Sequence, residues 1–144
     1  MKYSIVQVIA VIGAVAIFPS SATSAETLSA SDNYLTRSLI GSWTIARNSP
    51  ELHGQQLPHF YVERFLQGGR GQVAVFSDSS CRILIRTVTF GWKIKQHVLI
   101  TKHPDGSVSR DTISRVEKDS FYISQSRSEP DAQRIRVKMC EQSA

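Results

Sequence analysis

Histidines, cysteines, tryptophans and a few paired arginines are the residues of this chain best suited to chemistry or to holding a ligand. His53 and His59 share one polar stretch, while His97 and His103 flank a short apolar run. Imidazole is the commonest metal ligand, yet these four fit neither a helical H-x-x-x-H nor a paired cysteine motif. No metal and no cofactor are expected. A G-x-S-x-G nucleophile elbow is missing from the sequence, and Ser77-Asp78-Ser79-Ser80 reads as turn chemistry. The acidic residues fall mostly in turns or opposite basic neighbours, so the chain is read as a non-enzyme. Trp43 and Trp92 are candidate ligand platforms alongside His53 and His59, with core burial competing for both indoles. Arg82 and Arg86 fall on one face of the same apolar run. They could clamp a carboxylate or phosphate, or simply be solvated.

The compartment in which this chemistry would run is written at the N-terminus. Lys2 precedes an uncharged stretch, Ile5 to Phe18, which Pro19 ends before the small residues Ser20 to Ala25. That is the order of a secretory signal peptide (residues 1–25), with cleavage expected after Ala25 and Ala22 as the alternative site. The apolar run is shorter than the ~20 residues that span a bilayer, so no membrane span is expected. The mature protein is read as soluble, periplasmic or secreted, and monomeric. In an oxidising compartment the even pair Cys81 and Cys140 favours a disulfide, the alternative being two separate thiols. Lys and Arg number 17 against 12 Asp and Glu, a formal charge of +5, to which Lys2 contributes one. The basic residues form no block, and export argues against nucleic acid. A solvated basic surface, or an acidic protein partner, fits better.

The elements that must position these residues read almost entirely as strands. Residues 26–38 form a polar linker or short helical turn, with Ser31 or Asp32 as its cap. Eight runs rich in Val, Ile, Phe, Tyr and Thr then follow: 41–47, 60–66, 71–77, 81–95, 98–103, 107–116, 120–126 and 133–140. Gly91 marks an expected bulge in the long fourth run, both of whose faces are expected to be covered over part of its length. In the eighth, Ile135, Val137 and Met139 alternate with Arg134, Arg136 and Lys138. No run after the signal shows a helical period over ten or more residues. Short connections force neighbouring strands to be antiparallel, and closing the sheet removes two exposed edges. The expected fold is all-β: one eight-stranded antiparallel up-and-down barrel over residues 39–144, with a two-sheet sandwich as the alternative. Phe65, Phe76, Phe90, Phe121 and Tyr122 are large enough to fill it. One connection, Asn48 to His59, is long among short ones, and long loops in compact domains are often functional.

At Leu39-Ile40-Gly41-Ser42-Trp43 the chain resembles the small lipocalin-like domains of the calycin superfamily. Trp92-x-Ile94 followed by Val98-Leu99-Ile100 is similar to a second element of such domains. The resemblance implies a lipocalin-like barrel lidded by the loop after strand one. It implies a basic residue of the last strand, Arg134 or Arg136, packed across Trp43. It also implies a disulfide from the fourth strand to the C-terminal segment, where Cys81 and Cys140 fall. No helix follows the eighth run, which departs from the family. The function this points to is non-enzymatic binding of a small apolar or amphiphilic molecule. A protein-binding module, such as a periplasmic inhibitor of a secreted hydrolase, is the alternative.

Overall fold

The alternation of apolar and polar residues between tight turns gives eight strands. In the computed structural model, which describes residues 23–124, 128–138 and 140, they close into one ring. They are β1 (Gly41–Ile45), β2 (Phe60–Leu66), β3 (Arg70–Phe76), β4 (Leu84–Lys95), β5 (Val98–Lys102), β6 (Val108–Val116), β7 (Ser120–Ser124) and β8 (Ala132–Arg136). Every neighbouring pair is antiparallel, and β1 meets β8 with Trp43 opposite Arg136. The up-and-down barrel expected from the sequence is thus the observed fold. The stretch read as a signal peptide lies, up to residue 22, outside the described residues, as does Met139.

The N-terminal segment is more than a linker or single turn. A helix, α1 (Thr23–Leu39), runs into the first strand. Its last turns bury Leu35 and Leu39 in the bottom of the barrel beside Trp43, Phe65, Trp92, Leu99, Ile113 and Phe121. Asp32 is not an N-cap. Its carboxylate accepts the backbone N–H of Gln96 at 2.8 Å and of His97 at 3.0 Å. Those two residues form the β4–β5 turn with positive φ (52° and 63°), a conformation uncommon for non-glycine residues.

The barrel is therefore plugged at one end and open at the other. At the plugged end Trp43 meets Phe121 edge-on at 4.8 Å and Phe65 meets Trp92 at 5.1 Å. Phe90 also turns inward, and its ring occupies the space where a Cβ on Gly71 would stand. Phe76 and Tyr122 do not fill the barrel. Phe76 packs outside it with Val62, Ala74, Cys81 and Cys140, and Tyr122 lies beneath the Arg115 guanidinium at 3.9 Å. Cys81 and Cys140 form a disulfide that holds the C-terminal segment over the outer face of β2 and β3. Arg64, buried in the same place, donates to the Cys140 carbonyl.

Two features of the strands differ from the sequence reading. Gly91 pairs regularly with Arg70 and Lys102, and the irregularity falls instead between Val75 and Phe76. The start of β4 is not covered on both faces: Ile83, Leu84, Ile85 and Val88 are exposed. The alternation on β8 holds, but Arg134 is the residue turned inward, 6% exposed, while Ile135 faces solvent at 38%. An arginine is tolerable there because Glu63 and Glu51 neutralise it.

Candidate functional site

The residues singled out in the sequence separate into two ends of the barrel. Trp43 and Trp92 belong to the plug. The Trp43 indole donates to the Leu39 carbonyl at 2.7 Å, and the Trp92 indole donates to Arg70 at 2.7 Å and Leu66 at 3.1 Å. With its polar handle satisfied by backbone and its rings buried, neither indole reaches the open end. Arg136 lies over Trp43, its guanidinium carbon 4.1 Å from the ring centroid. It also donates to the carbonyls of Ser38, Ile40 and Lys118, so one cation ties α1, β8 and the β6–β7 turn together. Gly41 makes this possible. Its φ is 137°, and a Cβ there would collide with the Arg136 guanidinium. The Gly-x-Trp of the sequence and the arginine of the last strand are thus one packing unit.

The open end is built by the long loop. Pro50–Leu52 form a short 3-10 turn, and Ser49 accepts the Gln133 N–H at 2.9 Å. Glu51 reaches into the barrel to pair with Arg134, which also bonds Glu63 at 3.3 Å. Burial opposes the charge on Arg134, but Glu63 and Glu51 together hold its pKa above the ordinary arginine value. The first half of the loop is consequently clasped to β8, and the second half, from His53 to His59, lies exposed.

Beneath that exposed half is a cavity of about 440 Å³. Its walls include Ile45 of β1, Leu52 and Leu57 of the loop, and Phe60 and Tyr61 of β2. Arg47 and His59 also line it, and no carboxylate does. Its size falls within the ~300–1,000 Å³ of small-molecule sites. A second, smaller space of about 150 Å³ remains inside the barrel between Val73, Val88, Phe90 and the polar residues Glu63, Asp111, His103 and Arg134. Burial pushes the Asp111 pKa up; Arg134 and His103 pull against that rise and Glu51 adds to it.

Of the four histidines, His59 lines the loop cavity. His53 sits in left-handed backbone (φ 47°) on the other side of the loop, beside Glu129 and Ile123. His97 contacts Ser31 at 2.9 Å at the plugged end, and His103 contacts Ser109 at 2.9 Å near the mouth. Among the described residues, no group of three or more His, Cys, Asp or Glu is placed to hold a metal. Arg47, Ile45 and Tyr61 were not marked by residue type; the unusual length of the loop and His59 within it were the sequence signals for this site. No family model, curated protein or solved structure matches the chain. The geometry therefore carries the functional argument alone.

Proposed function

We propose that this protein is an exported, non-enzymatic binding module for a small amphiphilic molecule with an anionic head. The observation that carries this reading is the cavity of about 440 Å³ under loop 48–59, lined by the apolar faces of Ile45, Leu52, Leu57, Phe60 and Tyr61, by the uncharged polar Thr44, Gln55, Gln56 and Ser79, and by Arg47 and His59 without a carboxylate. Apolar walls take the body of such a ligand by removing its surface from water, at roughly 25 cal/mol per Å². Arg47 offers a planar fork of donors that matches a carboxylate or phosphate. The plugged half of the barrel has no room for a long apolar chain, which favours a compact amphiphile over a wholly apolar one. Export is supported by the charged, apolar and small-residue order at the N-terminus and by the Cys81–Cys140 disulfide.

Native mass spectrometry of the protein purified from its source tests this reading. The expected result is a bound anionic molecule that is released on denaturation and retained less by Arg47→Gln. Protein that carries no small molecule and takes up no anionic amphiphile would sink it.

A further inference from the structure

The barrel wall is uneven, and the unevenness leaves a strand edge unpaired. β4 pairs with β3 from Leu84 to Gly91, but with β5 only from Gly91 to Lys95. From Leu84 to Phe90, then, one edge of β4 carries no strand among the described residues. The segment reads Leu-Ile-Arg-Thr-Val-Thr-Phe, apolar, β-branched and aromatic apart from Arg86. Such an edge, extended and rich in strand-forming residues, is a template for a further strand. Ile83 is 63% exposed, with Leu84, Ile85 and Val88 exposed beside it.

The charges around this edge decide what it can accept. Arg82 and Arg86 are exposed on β4 and its lead-in, and Lys102 and Arg110 are exposed on β5 and β6. Asp78 and Asp105, in the flanking turns, are already hydrogen-bonded to Ser77 and Ser80 and to Ser107. Pairing two copies of β4 would bring four arginines onto one sheet edge, and like charges across strands are destabilising. Charged residues on an edge are a known guard against self-association. The same charges select in favour of an acidic strand.

We infer that the free edge of β4, from Leu84 to Phe90, is a docking site for an extended, acidic segment of a protein partner, which joins the barrel as an added strand. Main-chain hydrogen bonds supply the pairing. Side chains of the partner on one face meet Arg86 and Val88, which lie two apart on β4, and those on the other face meet Leu84 and Thr87. This site is separate from the loop cavity, and its occupant is a protein rather than a small molecule.

The test uses a fluorescent peptide of alternating Glu and Val, long enough to span Leu84–Phe90, and its Lys–Val counterpart. The acidic peptide is expected to bind saturably and to slow amide exchange at residues 84–90, whereas the basic peptide does neither. Arg82→Glu with Arg86→Glu should weaken the acidic peptide by about tenfold, as expected for two exposed ion pairs, and should admit the basic one. High salt should weaken the acidic peptide on the unaltered protein in the same direction, a readout that needs no variant. Three results would overturn the inference: no saturable binding of the acidic peptide, binding without protection of residues 84–90, or equal binding of both peptides. Self-association in ultracentrifugation that protects the same amides would equally overturn it, in favour of a second copy.

Discussion

Asp111 shows how a single residue can work against the fold that contains it. It lines the small interior space, and burial raises its pKa. A raised pKa in the folded state means that the fold prefers the protonated acid. That preference stabilises the protein at acid pH and is lost as pH rises through the folded pKa. At neutral pH the carboxylate is charged and bears its desolvation in the folded state alone. Asp111→Asn should therefore raise stability to urea at neutral pH, and the gain should shrink as pH falls through the carboxylate range. A loss of stability at neutral pH would show that Asp111 is held by attraction to Arg134 rather than penalised by burial. Arg134 itself was legible only as one of two candidates to cover Trp43. The alternation placed it on a face but gave no hint that this face is the inner one, because its partners Glu51 and Glu63 are remote in sequence.

Among the elements, the strands were legible because a period of two between turn residues is a local signal. The helix was not, and the reason is physical. Among the described side chains of α1, Leu35 and Leu39 enter the core, a single i, i+4 pair that sets no long period, and the helix is held by a contact remote in sequence. Asp32 anchors it to the β4–β5 turn, whose Gln96 and His97 require positive φ. The N–H donors of His97 and Gln96 hold the Asp32 pKa below its usual range, although partial desolvation opposes them. A lowered pKa contributes stability above the unfolded value and loses it as pH falls through the folded one. Asp32→Ala should cost about 1 kcal/mol at neutral pH, the scale of a lost backbone cap. The cost should disappear in acid, as read by thermal unfolding across pH. The β4 edge is another element-scale feature hidden from the sequence, because pairing length depends on how far β5 climbs beside β4.

At the scale of the molecule, the barrel is closed below by α1 and an aromatic plug, stapled at one side by a disulfide, and open above beneath a loop. The Cys81–Cys140 link spans a sequence separation of 59 residues and fixes the C-terminal segment over β2 and β3. Cys81→Ser should lower stability by about 2–4 kcal/mol, measured by denaturant unfolding. It should leave the loop cavity intact, since neither cysteine lines it. The eightfold strand order, the disulfide and the long loop were all readable in advance, for each leaves a mark in one stretch of chain. The cavity was not readable, because Ile45, Arg47, Leu57 and Tyr61 meet only once the loop folds back over β1 and β2. The measurement that tests the central claim most directly is an amide-resolved NMR titration with a medium-chain carboxylate, run on the unaltered protein and on Arg47→Gln. The account predicts saturable shifts centred on Ile45, Arg47, Leu57, Phe60 and Tyr61, with weaker binding in the variant. Shifts confined to other faces of the barrel, or identical affinities for the two proteins, would contradict it.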